Sequence, residues 1–382
     1  MMLKLRYRCV ILFVLCFLML NARAQYSFNP QFEKMQPRVS FVPGIKVIRG
    51  ETVRIVPMHK TGCPSGVVFR FNNGVLQAGA MRSKDDGKTW YKTDHEMGPS
   101  AYQFPQPDNE TIHHSFRTRK GSRPGVYEAT FYRSKDQGMT WSSFTAVINI
   151  PAEMNWSGVT DRKITGLKDG SLLMTLYGKI ANTVGFSVLL VRSTDHGKTW
   201  SYYSTVAFNL TEKLLGEGFC EPVLLLLPDN KILCFIRTSG NYPASLGSSN
   251  NNNPAVKMPF GYHKSTPLFM SVSSDMGKTW SNATPVNDFG VWPDALVLQN
   301  GIMALSYGRP GNWLMFSNDN GASWGPRLQF YNDLYPPDCG NYMSLTEVAP
   351  NVLFVVYGRT DPNDHTQSEI VGTYFQIKKY EQ

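Results

Sequence analysis

At 382 residues, 42% of them hydrophobic, the chain has room for two ordinary domains or for one large core. Its formal charge of +9 is mild and dispersed, which argues against a nucleic-acid partner but suits a basic pocket for an anionic ligand. The six cysteines show no metal-ligand spacing such as Cys-x2-Cys, and neither a metal nor a cofactor is expected.

Lys4, Arg6 and Arg8 precede an unbroken apolar run from Val10 to Leu20, and Ala22-Arg-Ala24 follows as a small-x-small cleavage pattern. This is the layout of a secretory signal, so residues 1–24 are expected to be removed and the chain exported to the periplasm or beyond. The run is too short to span a bilayer comfortably. Cleavage would remove Lys4, Arg6, Arg8 and Arg23 and no acidic residue, lowering the charge of +9 by four to +5. Cys9 and Cys16 would leave as well. Cys63, Cys220, Cys234 and Cys339 remain, either oxidised in an exported protein or kept as buried thiols.

From there the chain reads as short runs rich in Val, Leu, Phe and Tyr, divided by turns. Phe69-Arg-Phe-Asn-Asn-Gly74, Gly166-Leu-Lys-Asp-Gly170, Leu227-Pro-Asp-Asn230 and Leu298-Gln-Asn-Gly301 are hairpin signals. No long stretch has a period of 3.6, so an all-β fold of small antiparallel sheets is predicted. The pattern Ser-x-Asp-x-Gly-x-Thr/Ser-Trp occurs five times, at Ser83–Trp90, Ser134–Trp141, Ser193–Trp200, Ser273–Trp280 and Ser317–Trp324. Recurrence from end to end marks a repeat architecture and favours one closed domain over residues 25–382. Within each octet, Asp can accept from the amides of its own turn, Gly can take a positive φ, and Trp can pack between neighbouring sheets.

The octet resembles the Asp-box of the sialidase (neuraminidase) superfamily, which lies between the third and fourth strands of a propeller blade. That resemblance implies a six-bladed β-propeller of four-stranded antiparallel blades. Five blades end near the five octets. The last would run from about Asn341 through Val352–Tyr357 to Ile370–Ile377 and lacks a fourth strand, which Val39 to Ile48 could supply to close the ring and cover the sheet edges. A closed ring also makes a monomer the expectation. Thr238 to Pro267, with its Ser248–Asn253 polar tract, would be a loop on the face opposite the octets, where the family binds substrate; Tyr242, Tyr262 and His263 lie in it or beside it.

The resemblance also implies a site. Glu221, opening one strand, and Arg237, ending the next, resemble a sialidase hairpin that carries a general base and a carboxylate-binding arginine. An ion pair across a hairpin is the plain alternative. Gly340-Asn-Tyr342-Met-Ser-Leu-Thr-Glu347 resembles the last-blade segment with the family's tyrosine nucleophile, whose phenol needs a base such as Glu221 beside it. Arg309, in Leu305-Ser-Tyr-Gly-Arg309-Pro, matches a second arginine. Arg54, in Val53-Arg54-Ile-Val-Pro57, would complete a triad if Thr52 to Met58 is the first inner strand, but not if Pro64 to Phe71 is. Arginines suit this role because a guanidinium grips a carboxylate by two hydrogen bonds. The chain departs from the family at Gly358, where a supporting glutamate is the pattern, and in lacking the long loop that carries the family's acid. Asp161 and Asp294 are the candidate replacements, with His59, His113 and His114 behind them and Arg162 as a further ligand contact.

Taken together, the resemblance implies an exo-acting glycoside hydrolase that releases a terminal acidic sugar, sialic acid first, from a glycan. Two alternatives keep the fold: action on another sugar by hydrolysis or elimination, and a non-catalytic glycan binder with Trp292, Trp313 and Tyr342 as stacking platforms.

Overall fold

A computed structural model of the protein describes residues 39–42, 44–60, 66–154, 156–160, 162–181, 183, 185–208, 218–239, 257–258, 261–262, 267–287, 289–308, 311–331, 342–361, 363–364 and 366–380. Apart from a 3-10 turn at Ala152–Met154, the regular structure among them is β-strand. The strands fall into antiparallel groups in chain order. The first holds Phe69–Arg70, Leu76–Ala78, Met81–Ser83 and Tyr91–Lys92, and the second Ala101–Gln103, Thr111–Lys120, Val126–Ser134 and Ser142–Asn149. The third has Ser157–Thr160 and Thr165–Gly166 as its inner strand, followed by Leu172–Lys179, Ser187–Ser193 and Thr199–Ala207. Gly218–Leu226, Ile232–Ser239, Leu268–Ser273 and Thr284–Asn287 make the fourth, and Val291–Val297, Met303–Gly308, Asn312–Ser317 and Leu328–Tyr331 the fifth. The last takes Met343–Ala349, Val352–Thr360 and Gln367–Lys379 and adds Ile45–Lys60 from the other end of the chain. These are the blades of a β-propeller. A short parallel contact between Ser142–Asn149 and Thr199–Ala207 joins the second and third into one sheet.

The predicted hairpins close as the turn chemistry demands. Phe71, Leu167, Leu227 and Leu298 each donate their N–H across the turn to the carbonyl of the residue four positions on. Every octet joins the third and fourth strands of its blade and is wired alike. In the first, the Gly87 N–H donates to Ser83 Oγ at 2.9 Å, the Thr89 N–H to Asp85 Oδ1 at 2.9 Å, and the Trp90 indole to the Gly87 carbonyl at 2.7 Å. Gly87 has φ +91°, and Asp86 before it is also left-handed at φ 57°.

Each octet also docks on the preceding blade. A Cβ on Gly138 would lie 2.4 Å from Phe71, one on Gly197 2.9 Å from Ile112, and one on Gly321 2.6 Å from Leu233. The first octet docks on the last blade, where Gly87 faces Phe354 and Tyr374. Hydrophobic clusters fill the gaps between neighbouring blades, including the gap from last to first. The ring is therefore closed.

The closing strand differs from the expected Val39 to Ile48. It is the 16-residue strand Ile45–Lys60, paired with Gln367–Lys379, and Val39–Val42 folds back on its start as a further edge strand. The reason is register: Val47 opposite Ile377 places Ile45 and Val47 in the same apolar cluster as Phe375 and Ile377. Thr52 to Met58 is consequently part of this outer strand, and the first inner strand is Phe69–Arg70.

Candidate functional site

Strands alternate in direction, so the inner strands begin on the face opposite the octets. Two of them are distorted there in the same way. The pairing of Gly218–Leu226 with Ile232–Ser239 slips between Cys220 and Val223, and that of Val291–Val297 with Met303–Gly308 slips between Val291 and Asp294. Glu221 and Trp292 sit on these bulges with φ of 46° and 48°, and each is followed by a proline. Proline donates nothing to a ladder and suits a bulge, while the bulge re-aims the side chain before it. Left-handed φ on residues of this size is sparsely populated and persists only where the surroundings hold it.

The Glu221 carboxylate is buried and fully engaged. Its Oε1 accepts the Tyr342 hydroxyl at 2.8 Å and pairs with Arg237, and its Oε2 accepts the backbone N–H of Trp292 at 3.0 Å. Arg237 also reaches the Tyr342 hydroxyl at 3.4 Å. Arg237 stands opposite Cys220 in the ladder, one residue from the bulge, which explains why it meets Glu221. Tyr342 precedes the last inner strand and stacks on Trp292, with 4.3 Å between ring centroids and 6° between planes. Three residues from two parts of the chain thus form one group: a phenol donating to a buried carboxylate, with a cation on both. Such a group can hold and move a proton at the phenolic oxygen.

Asp294 and Arg162 do not join it. Asp294 is wholly buried; it pairs with Lys163 at 2.5 Å and Arg162 at 3.6 Å, and it accepts from the Ser344 hydroxyl and the Leu345 and Ala295 amides. Burial alone would raise its pKa, but Lys163 and Arg162 outweigh burial and hold it below the ordinary carboxylate value. Both of its oxygens are taken up by these partners, which are not those of Tyr342. Arg162, equally buried, donates to the carbonyls of Trp292, Pro293 and Met343. It ties blades together inside the protein. Lys163 joins this layer to a cavity of about 440 Å³, also lined by Tyr102, Gln103, Leu296 and Glu347 from the inner strands of other blades.

Arg54 is not brought to Tyr342 either. It lies on the outer closing strand with its side chain 64% exposed, paired with Glu369 at 2.7 Å. His59 is exposed on the same strand. Burial, and then His95 and His114, push His113 down to about 3, so it is a neutral core residue in contact with His95. His114 is also buried. Trp292 and Trp313 are core residues, 8% and 9% exposed, and not open platforms. Cys220 and Cys234 are buried in the fourth blade. Asp161, Arg309, Tyr242, His263, Cys63 and Cys339 lie outside the described residues, as does the polar tract. The role of the Trp292 amide was missed in the sequence. The shared residue-proline pattern of Glu221-Pro222 and Trp292-Pro293 was the signal available.

Comparison with known proteins agrees with this architecture. A family model described as a BNR repeat-like domain matches residues 110–255. A sialidase of Micromonospora viridifaciens is 26% identical over 332 residues, 78% of this chain and 46% of that protein, so the chain spans about half the length of this curated relative. Among solved structures, a protein of unknown function from Dyadobacter fermentans superposes with a TM-score of 0.63 at 20% identity, covering 88% of this chain and 100% of that one. The GH93 α-L-arabinofuranosidase of Fusarium graminearum gives 0.60 at 15% identity over 85% and 97% of the two chains. The NanB sialidase of Streptococcus pneumoniae gives 0.53 at 11% identity over 92% and 73%. At these identities the structural likeness is one of fold. Octets, blades and matches together make this chain a β-propeller with BNR-like repeats, similar in sequence to a sialidase and in fold to sialidases and an arabinofuranosidase.

Proposed function

We propose that the protein is an exported, exo-acting glycoside hydrolase that releases a terminal acidic sugar, sialic acid in the first instance, with retention of configuration. The contact of Tyr342 with Glu221 and Arg237 is the observation that carries this reading. Its named relatives are glycosidases, one a sialidase and one an arabinofuranosidase, which supports cleavage of a glycosidic bond. Export rests on the amino-terminal pattern ending at Ala24. Among the described residues no helix is long and apolar enough to cross a membrane.

In this mechanism Tyr342 gives its proton to Glu221 Oε1 as the phenolic oxygen bonds to the anomeric carbon. A neutral phenol meets less repulsion from a neighbouring sugar carboxylate than a carboxylate nucleophile would. The Arg237 cation stabilises charge developing on the oxygen. The glycosidic bond breaks and its oxygen takes a proton from an acid, a role assigned to Asp161. Water then adds at the anomeric carbon, giving its proton to that aspartate. The bond to Tyr342 breaks, and the phenol recovers its proton from Glu221. Arg309, with Arg237, is assigned the sugar carboxylate.

A second reading keeps this pair and changes the sugar. What favours it is that Arg54 lies on the outer strand and Arg162 is tied to backbone carbonyls, which leaves Arg237 as the predicted arginine bonded to the Tyr342 hydroxyl among the described residues. Fluorogenic glycosides test both. Wild type is expected to release the fluorophore from a sialoside, and Tyr342→Phe and Glu221→Ala to lose at least about 10³-fold in kcat. Release from a neutral pyranoside or furanoside alone would replace the first reading by the second, and release from none would refute both.

A further inference from the structure

Trp292 touches both halves of the pair just assigned to the chemistry. Its backbone N–H donates to Glu221 Oε2 at 3.0 Å, and its indole lies parallel to Tyr342 at 4.3 Å. The same indole carries the Arg162 guanidinium at 4.5 Å. Arg162 in turn donates to the carbonyls of Trp292 and Pro293 and to that of Met343, the residue after Tyr342. One buried cation therefore holds the backbone on both sides of the stack. The bulge that presents Trp292 holds it at φ 48°, a conformation bulky residues avoid, as the matching bulge does for Glu221.

A hydrogen bond fixes only the oxygen of a phenol. Its ring can still swing about the bonds that join it to the backbone, and a stack at 6° between planes removes that freedom. We propose that Trp292 is the positioning residue of this site, its ring setting the plane of Tyr342 and its N–H setting the carboxylate that receives the proton. The catalytic consequence rests on the glycosidase reading above; the positioning itself does not. A misplacement of about 1 Å at a nucleophile costs on the order of 10²-fold in rate.

The two contacts can be separated. Trp292→Leu removes the ring and leaves the N–H and the following proline, whereas Trp292→Phe keeps a smaller ring. Because Trp292 is buried, KM should stay within about threefold in both, while kcat falls about 10²-fold for leucine and several-fold for phenylalanine. A second measurement needs no turnover. In protein labelled with ¹³C at the tyrosine ζ-carbon, the Tyr342 line is identified by its loss in Tyr342→Phe. The pH at which that line moves reports ionisation of the phenol against Glu221 and Arg237, the charged groups bonded to its hydroxyl among the described residues. Loss of the indole ring current shifts the line equally at every pH and leaves the midpoint alone. Trp292→Leu is expected to move the midpoint by about half a pH unit or more. A folded Trp292→Leu with the wild-type midpoint would overturn the proposal. Should that variant not fold, Trp292→Phe decides: a several-fold loss of kcat or a moved midpoint supports it, and wild-type values in both overturn it. Absence of turnover in wild type would sink the glycosidase reading, and the midpoint would still judge Trp292.

Discussion

Glu221 and Asp294 are both buried carboxylates at the start of an inner strand, and their neighbours give them different work. Glu221 has one cation and a phenol that can hand it a proton. Asp294 has two cations, one hydroxyl and two amides, and no open side. Removing one partner of such a group leaves the others buried and uncompensated, which costs about 3–5 kcal/mol. Asp294→Asn is therefore expected to lose about that much stability in urea unfolding. The sign of the pH effect follows from the depressed pKa of Asp294. Its stabilisation is complete above the unfolded carboxylate value of about 3.9 and is lost as pH falls through the lower folded value. A stability profile in which Asp294→Asn and wild type differ as much at pH 2 as at pH 6 would contradict this.

At the scale of the element, the octet is a small electrostatic device as well as a turn. The Thr89 hydroxyl and amide pull Asp85 down to about 2, and Thr279 does the same for Asp275. For Asp136 burial pushes upward, but the Thr140 hydroxyl and amide win and bring it to about 2 as well. Groups depressed in the folded state add stability above about pH 4 and lose it as pH falls towards about 2. Acid unfolding is thus expected to begin in the octets. Thr140→Val, which keeps the amide and removes the hydroxyl, should raise the Asp136 titration midpoint towards the ordinary value, read from its carboxyl ¹³C shift. The inter-blade contact is a second duty of the element. A glycine at the fifth position of the octet is demanded by its positive φ, and at Gly138 equally by Phe71 of the preceding blade.

The molecule as a whole depends on one non-local pairing, that of Ile45–Lys60 with Gln367–Lys379. Without it the last blade would expose a 13-residue edge. Deleting residues 1–60 should therefore give a chain that associates and melts without cooperativity. Deleting 1–38 keeps that pairing and should leave the association state and melting unchanged, as size exclusion and calorimetry would show.

What could be read from the sequence and what could not divides along the range of the interactions. Turns, octets and alternating strands are set by hydrogen bonds a few residues long and by period, so the all-β class, the repeat and the hairpin from Glu221 to Arg237 were legible in the chain itself. The bulges at Glu221 and Trp292 left only a proline as a trace, because a left-handed residue is held by packing around it. Which residues far apart in the chain meet was decided by tertiary structure alone. Arg54 pairs with Glu369 across 315 positions, and Tyr342 reaches Glu221 across 121. Such pairs depend on where the ring closes and on which strand lies innermost, and local sequence determines neither.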